Sequence, residues 1–494
     1  PFLHIYYHKR MTKKKTIINK SSSISLFDSL LPILLLVVLL YINVNIYGDS
    51  ALKGSNQFIL IIGAAIAFVV GLKNKISIDL IFETISKNIK SISTPIIILL
   101  LVGALSGTWL LSGIIPSMIY YGFNIINASF FLPACVVVSA IVALATGSSW
   151  STSATIGIAL IGIGKALGFD VGVVAGAVIS GAYFGDKMSP LSDTTNLAAA
   201  VVGSDLFEHI KYMMITTVPS IIIALIFFII YNLFNLPAEN LNTVDYIESI
   251  KNYFYISPLL FIVPVIVIFL IVKKVNPIIS LFMGTILAAL FALFFQSELL
   301  TSIIDQNSEV DVSIYTIIMD SIVTQTTIET NTLFLNELFT SGGMSGMLDT
   351  IWLVICAMIF GGVMESIGAL NRISQSLLNV AKSTLNLFAS TILSCITVNV
   401  TASDQYLSIV IPGKMFSNAY ADRKLSSLNL SRTIEDSGTV TSVLIPWNTC
   451  GAYQSTVLNV SVFDYFVFAI FNWISPFMTL FVATINYKIK KVLN

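Results

Sequence analysis

Long apolar stretches, each about as long as a membrane-crossing helix, follow one another along almost the whole chain. Crossing the hydrocarbon core takes roughly 20 apolar residues in a helix, and only helices or closed barrels satisfy their backbone hydrogen bonds inside lipid. The stretches are continuous, which favours helices. They cover residues 24–47, 57–72, 94–112, 130–146, 148–165, 170–184, 206–235, 256–272, 277–296, 347–367, 384–400, 403–421 and 461–486. We predict an all-α polytopic membrane protein with about twelve transmembrane helices.

Three segments interrupt this pattern. Segments 148–165, 403–421 and 436–453 are rich in Ser, Thr and Gly or contain a proline, Pro412 or Pro446. Non-helical backbone at membrane depth is tolerated only where it is buried in protein or lines a cavity. We therefore expect broken helices or re-entrant hairpins in these segments.

The two halves of the chain follow a similar order of polar segments. In each half a polar stretch, 146–151 or 401–406, precedes an acidic residue, Asp186 or Asp436, by about 35 to 40 residues. Interrupted polar segments in corresponding positions of two halves indicate the binding site of a transporter. The sequence therefore predicts two pseudo-repeats.

Composition and charge agree with this architecture. Hydrophobic residues make up 56% of the 494 residues and charged residues only 11%, against about 25% in soluble domains, and the mean hydropathy is +0.88. Basic residues cluster in some loops, whereas loop 297–346 contains Asp and Glu but neither Lys nor Arg. The positive-inside rule then places both termini in the cytoplasm and the chain in the cytoplasmic membrane.

These features divide the chain into six parts. Segments 76–90 and 368–382 are amphipathic and basic, as expected for helices lying at the cytoplasmic interface. Met11 opens a Met-Thr-Lys-Lys-Lys stretch typical of a natural start, so we expect residues 1–10 to be an upstream extension. The parts are a basic cytoplasmic tail (1–23), a first transmembrane half (24–236), an external linker (237–255), a transmembrane helix pair (256–296), an acidic external loop (297–346) and a second transmembrane half (347–494).

The most polar interruption reads GDKMSPLSDTTN, residues 185–196. If Pro190 interrupts a helix, freed carbonyls become available to an ion. Asp186, Ser189 and Asp193 are three and four residues apart and would share a face of any helical portion. Carboxylate, hydroxyl and carbonyl oxygens are the ligands of hard cations, and Na+ is the natural candidate. The alternative is a solvated cytoplasmic loop with a helix cap at Asp193.

A second constellation lies between residues 431 and 449. A carboxylate at the bilayer centre costs roughly 2.5–3.5 kcal/mol, which excludes a lipid-facing position. These residues either face a water-filled site or lie at the cytoplasmic surface, with Arg432 pairing one of the acids. The polar or helix-breaking members are Glu435, Asp436, Thr439, Pro446, Asn448 and Thr449.

Asp404 is the third candidate, because it follows one apolar span and precedes another. An acid inside the membrane is a functional hypothesis by default, and the alternative is a turn at the external surface. His209 begins a span on the basic side, where we expect a surface histidine. Four scattered cysteines are expected in the core.

Four stretches of the sequence resemble signature stretches of the NhaC-type Na+/H+ antiporters. They are GSSWSTSATIGIALIGIG (147–164), GAYFGDKMSPLSDTTNLA (181–198), DQYLSIVIPGKMF (404–416) and RTIEDSGTVTSVLIPWNTCGAY (432–453). The resemblance runs from about residue 24 to 487 and implies a cytoplasmic-membrane exchanger of about twelve helices that couples Na+ and H+. Some members of this family exchange organic acids, for example malate with protons against lactate with Na+.

The resemblance also implies which residues form the cation and proton site. The matching positions are Asp186, Ser189, Asp193, Thr194 and Asn196 in one motif, and Glu435, Asp436, Thr439, Pro446, Asn448 and Thr449 in the other.

We predict an exchanger in which one carboxylate, Asp186 or Asp436, holds Na+ when ionised and H+ when protonated. If Lys187 neutralises Asp186, Asp436 is the better candidate. The alternative is a Na+- or H+-coupled exchanger or symporter of a small organic acid or amino acid, with Lys414 or Arg432 holding the anion.

A channel or an intramembrane enzyme is a weaker alternative. The chain has three histidines, which cannot assemble a metal site within the membrane. We expect no cofactor, no metal site and no nucleic-acid partner. The expected partners are the lipid bilayer, Na+ and H+, with a small organic acid and a homodimer as open alternatives.

Overall fold

The computed structural model describes residues 24–47, 51, 53–125, 128–236, 243–306, 313–331 and 333–492, and the predicted basic tail (1–23) lies outside them. Within these ranges the chain is helical apart from turns, a hairpin of two-residue strands, β1 (Thr326–Thr327) and β2 (Thr340–Ser341), and one isolated bridge between Leu425 and Lys491. The prediction of an all-α polytopic membrane protein is confirmed.

The described residues of the first half form eleven α-helices. They are α1 Leu26–Tyr47, α2 Ser55–Lys73, α3 Ile78–Ser91, α4 Ser93–Leu111, α5 Ile114–Ile125, α6 Phe131–Thr146, α7 Ser149–Thr152, α8 Ile158–Ala166, α9 Val171–Met188, α10 Asp193–Val201 and α11 Leu206–Phe234. Helices α7 and α8 are joined by a π-helical turn, Ser153–Gly157.

The middle of the chain adds a bent pair of helices and the acidic loop. Its helices are α12 Thr243–Tyr253, α13 Ile262–Val272, α14 Pro277–Phe295, α15 Ser297–Gln306, α16 Ile314–Val323 and α17 Leu333–Leu338. The acidic loop therefore has its own helices and the β1–β2 hairpin, which the sequence pattern did not predict.

The second half follows the acidic loop. Its helices are α18 Leu348–Ser366, α19 Ala369–Val380, α20 Thr384–Ala402, α21 Gln405–Asp422, α22 Ser427–Ile434, α23 Thr449–Leu458, α24 Val462–Phe466 and α25 Ile470–Thr484. A π-helical turn, Glu435–Thr439, extends α22 toward the break before α23.

Eight helices in the described ranges are long and apolar enough to cross a membrane. A ninth is counted if the segments Ile247–Tyr253 and Pro258–Val272, which meet at 83°, form one bent span. The other predicted spans, 148–165, 170–184, 403–421 and 461–486, correspond to helices that are too short or too polar to be counted.

The two pseudo-repeats share two structural units. In the first unit, α6 ends at the left-handed residue Gly147 and Ser148 caps α7, just as α20 ends at the left-handed residue Ser403 and Asp404 caps α21. In the second unit, a helix is interrupted and then continues, as α9 into α10 and α22 into α23.

Small residues bring the helices of the first repeat into close contact. A Cβ on Gly181 would lie 2.1 Å from the carbonyl oxygen of Val136, and one on Gly185 would lie 2.2 Å from that of Ala140. The backbones of α6 and α9 therefore touch, as small residues spaced four apart permit. This contact fixes the end of α9, where Asp186 lies.

Two expectations from the sequence are wrong. Pro412 does not break its segment, because α21 is continuous from Gln405 to Asp422 and the interruption falls at Ser403–Asp404 instead. Prolines are tolerated in membrane helices where neighbouring groups satisfy the freed backbone. His209 is not at the surface but fully buried, because α11 packs against α9, α22 and α25.

Loops that the charge pattern assigns to one side of the membrane contact each other in the structure. On the predicted cytoplasmic side, Ser426 donates to the carbonyl oxygen of Lys490 at 2.9 Å. On the predicted external side, Lys165 forms an ion pair of 2.9 Å with Glu337. The assignment of sides remains a prediction from charge, as does the placement of α3 and α19 in the membrane interface.

Candidate cation and proton site

The break between α9 and α10 is a defined turn. Helix α9 ends at Met188, two residues before Pro190, which has no N–H to continue the helix. Ser192 caps α10 by accepting a hydrogen bond from the Thr195 backbone N–H at 3.4 Å. The Asn196 amide reaches back and donates to the carbonyl oxygens of Pro190 at 3.0 Å and Ser192 at 2.6 Å. The turn is therefore held by the helix that follows it.

Asp186 lies in the last turn of α9 and is buried. Its Oδ2 accepts hydrogen bonds from the backbone N–H of Ser149 at 2.9 Å and from the Ser149 hydroxyl at 2.7 Å. Ser149 opens α7, so the carboxylate sits at the positive end of a helix that begins inside the protein. Its Oδ1 has no hydrogen-bond partner among the described residues. One carboxylate oxygen is fixed and the other is available.

Glu435 lies in the π-helical turn of the second repeat and is fully buried. Its Oε1 accepts a hydrogen bond from the Thr194 hydroxyl at 3.2 Å. Across the ranges that the structure covers, Glu435 Oε2 and the hydroxyl of Thr439 have no partner. The second repeat thus supplies a further carboxylate oxygen and a hydroxyl that are both free to bind a ligand.

A hydroxyl group connects the first break to Glu435. The Ser192 Oγ lies 3.1 Å from the Thr194 Oγ1, and the Thr194 hydroxyl donates to Glu435. The break that follows Asp186 is therefore joined to Glu435 through Thr194, although the two acids come from different halves of the chain. Carboxylate and hydroxyl oxygens in this arrangement suit a hard monovalent cation or a proton.

Asp436 is engaged differently. Its carboxylate forms an ion pair with Lys187, and both side chains are fully buried. Oδ2 also accepts hydrogen bonds from Thr216, at 2.8 Å, and from Thr479, while Ser475 lies 3.4 Å from Oδ1. Lys187 thus neutralises Asp436 rather than its neighbour Asp186, and the acid left without a cationic partner is Asp186.

Polar residues at the second interruption satisfy backbone groups. Asp404 caps α21 by accepting from the Leu407 N–H at 2.8 Å. Asn448, two residues after Pro446, caps α23 by accepting from the Cys450 N–H at 3.0 Å, and its amide donates to the carbonyl oxygen of Asn399 at 3.1 Å. The neighbouring Thr449 donates its hydroxyl to Asn448 at 3.4 Å. These side chains shape the break rather than point free oxygens into it.

The remaining candidates lie at the edge of the first break. Ser189 is buried, and its hydroxyl accepts from the Leu191 N–H at 3.2 Å. Asp193 is exposed and accepts a hydrogen bond from the Tyr406 hydroxyl of α21. Asp193 therefore joins the two repeats at the surface of the site and does not share a helical face with Asp186.

An aromatic contact joins the repeats beside Asp186. The ring of Trp150, next to Ser149, stacks on Tyr453 of α23, with centroids 3.9 Å apart and planes inclined by 16°. The Tyr453 hydroxyl also donates to the carbonyl oxygen of Trp150 at 3.1 Å. The start of α7, which holds Asp186, is therefore fastened to the second repeat.

Sequence reasoning did not identify four residues that complete the arrangement. Ser149 lies in the polar stretch 146–151, so its region was noticed but not its contact with Asp186. The hydroxyls of Thr216, Ser475 and Thr479 occur singly in apolar spans and give no local signal, because they contact Asp436 or Lys187 only through tertiary structure.

Comparison with known proteins gives consistent matches. The sequence profile of the Na+/H+ antiporter family matches residues 181–485. The chain is 39% identical over 386 residues to the Na(+)/H(+) antiporter NhaC of Alkalihalophilus pseudofirmus, covering 78% of this chain and 80% of that protein. It is 36% identical over 402 residues to the Na(+)/H(+) antiporter NhaC of Bacillus subtilis, covering 81% and 85%. It is also 33% identical over 421 residues to the Malate-2H(+)/Na(+)-lactate antiporter of Bacillus subtilis, covering 85% and 86%.

Proposed function

The chain belongs to the Na+/H+ antiporter family, and we propose that it exchanges Na+ for H+ across the membrane through a site shared by Asp186 and Glu435. The observation that carries this proposal is the pair of buried carboxylates, each with one oxygen that has no hydrogen-bond partner in the described part of the chain. Burying a carboxylate oxygen that has no partner costs free energy unless the oxygen binds a proton or a cation. Each repeat contributes one such carboxylate, located at or next to a helix interruption.

The balance of buried charge supports a cationic cargo. Six buried charged residues at or near the two interruptions, which we call the central cluster, comprise four acids and two bases within the described part of the chain. The acids are Asp186, Asp404, Glu435 and Asp436, and the bases are Lys187 and Arg432. Isolated charge is expensive to remove from water, so the excess of acids favours the binding of Na+ or H+.

The proposed cycle uses competition for the same oxygens. An ionised Asp186 binds Na+ together with Glu435 and the hydroxyls of Thr194 and Thr439, and a protonated carboxyl group releases it. Alternating access exposes the loaded site to each side in turn. Asp436 acts as the counter-ion of Lys187, while Asp404, Asn448, Thr449, Ser189 and Asn196 hold the interrupted backbone in shape. In this proposal the chain lies in the cytoplasmic membrane with both termini inside.

The test uses purified protein in proteoliposomes that contain a pH-sensitive dye. An imposed outward Na+ gradient should acidify the lumen, and protein-free liposomes should show no change. The same gradient of choline serves as the ion control. If a Na+ gradient moves no protons in active, correctly folded protein, exchange of these two cations is not its function.

A second candidate is exchange that also carries a small organic acid. The observation that favours it is the 33% identity with the malate–lactate antiporter over most of both chains. The same liposomes separate the two candidates when malate or lactate is added on one side. Proton movement that depends on either acid, and is absent with Na+ alone, would establish the second candidate.

A further inference from the structure

A buried guanidinium group lies beside the ion pair without a hydrogen-bond partner. Arg432, in α22, is fully buried, and its Nε, Nη1 and Nη2 make no hydrogen bond within the described ranges. His209, in the first turn of α11, is also fully buried, and neither of its ring nitrogens has a partner in the same part of the chain. Five nitrogen atoms from two helices are therefore left without a protein acceptor.

Arg432 contacts Tyr212, which is also a helix neighbour of His209. The Arg432 guanidinium carbon lies 4.5 Å from the centroid of the Tyr212 ring. His209 and Tyr212 are three residues apart on α11 and share one helix face. The Tyr212 hydroxyl lies 2.6 Å from Asn429 Oδ1, 2.8 Å from the carbonyl oxygen of Lys488 and 3.2 Å from the backbone nitrogen of Lys490. The ring is therefore a fixed platform for the guanidinium.

The nearby acids do not satisfy Arg432. Asp436, one turn further along, is taken up by Lys187 and by hydroxyl groups. Glu435 accepts from Thr194 through one oxygen, and no contact of its other oxygen with Arg432 is found in the described residues. A cation–π contact compensates only part of the hydration free energy that a guanidinium loses on burial. The group therefore lacks an anionic partner.

We propose that Arg432, with His209 and the ring of Tyr212, binds a small anion that is either a carboxylate or chloride. A guanidinium offers several N–H donors in one plane, which match the two oxygens of a carboxylate, and two of these N–H groups can also donate to one chloride ion. The site lies beneath the C-terminal segment at Lys488 and Lys490. It is separate from the cation site at Asp186 and does not depend on Na+/H+ exchange.

The first experiment measures anion binding to the full chain in detergent. Thermal unfolding is followed while choline methanesulfonate, whose anion is neither a carboxylate nor a halide, is replaced by choline chloride, lactate or malate at constant ionic strength. Because a ligand that binds the folded state raises its melting temperature, at least one of the small anions should give a saturable increase. Arg432→Gln should lose this increase, and Arg432→Lys should keep part of it. Arg423→Gln, which removes a guanidinium that donates to the backbone carbonyls of Ser383 and Ala381, should show the same anion-dependent increase as the unsubstituted protein.

The anions are then distinguished in proteoliposomes by counterflow of labelled chloride, lactate and malate. Binding without counterflow assigns a structural or regulatory anion, whereas counterflow assigns a transported one, and both support the site. The site is overturned if none of the anions shifts the melting temperature, or if the shift persists in Arg432→Gln.

If Arg432→Gln fails to fold, the question is decided by anion titration of the unsubstituted protein and of His209→Gln. This second substitution should weaken anion binding at least about threefold. Na+/H+ exchange in methanesulfonate buffer is measured in parallel, so that failure of the anion site and failure of the exchange proposal are separate results.

Discussion

Lys187 forms an ion pair with Asp436, 249 positions away in the other repeat, although Asp186 is its immediate neighbour in sequence. The pair neutralises one of the two acids that the sequence singles out and leaves the other without a cation. It also places a charged contact between the repeats at full burial, where removal of one partner leaves an uncompensated charge.

The ion pair should dominate the stability of the central cluster. Substitution Lys187→Met or Asp436→Leu should each lower the unfolding free energy by about 3–5 kcal/mol, because each leaves one charge buried alone. The double variant should recover much of this loss. Thermal melting in detergent measures all four proteins of the cycle, and additive losses in the double variant would contradict direct pairing.

Asp186 should be required for cation exchange. In Asp186→Asn the amide keeps the size of the side chain but removes the charge that would bind Na+, so exchange should fall by at least about tenfold, or 1.4 kcal/mol. The measurement is Na+-driven pH change in proteoliposomes. Asp193→Asn is the matched control, since this acid is exposed and bonded to Tyr406. Equal activity of both variants would remove Asp186 from the site.

Glu435 should share the cation with Asp186. Glu435→Gln should raise the Na+ concentration for half-maximal exchange by about tenfold, because one anionic ligand is lost from a buried site while Asp186 remains. The Na+ dependence of the exchange rate measures this effect. An unchanged Na+ dependence would indicate that Glu435 is not a ligand.

The stacked pair of Trp150 and Tyr453 should stabilise the contact between the repeats. Tyr453→Phe removes only the hydrogen bond to the Trp150 carbonyl, and we expect a loss of about 1 kcal/mol. Tyr453→Ala also removes the stacked ring, and we expect a loss of about 3–5 kcal/mol. Melting temperatures of both variants test the order, and similar losses would mean that stacking contributes little.

Close contact between α6 and α9 should exclude even one methyl group. Gly181→Ala places a Cβ 2.1 Å from the Val136 carbonyl oxygen, so the unfolding free energy should fall by about 1–3 kcal/mol. Gly346→Ala is the control, because no described atom lies within 4 Å of its added Cβ. Stability equal to that of the control would show that α6 can move away.

Hydropathy and proline positions predict much of the fold. The apolar runs form helices because lipid offers no hydrogen-bond partner for their backbone groups. The breaks near Pro190 and Pro446 fall where the sequence changes from mainly apolar to mainly polar residues. Pro412 shows the limit of this reasoning, since a proline inside a helix and a proline in a break have the same local signature. Only tertiary contacts decide between them.

The sequence predicts which segments form the candidate site, but it does not predict which side chains contact each other. The acids at 186, 435 and 436 stand out because charge is rare in apolar segments. Which acid meets Lys187, however, depends on how two distant repeats pack together. The burial of His209 is likewise a tertiary effect, because α11 packs against helices from both repeats.

Since Asp186 belongs to one repeat and Glu435 to the other, any ion held by both would act as a removable cross-link between them. Its binding free energy would stabilise the one arrangement of the helices in which both carboxylate oxygens can contact a single ion. Release of the ion would remove that stabilisation. The cargo would thereby be a temporary structural element of its own carrier.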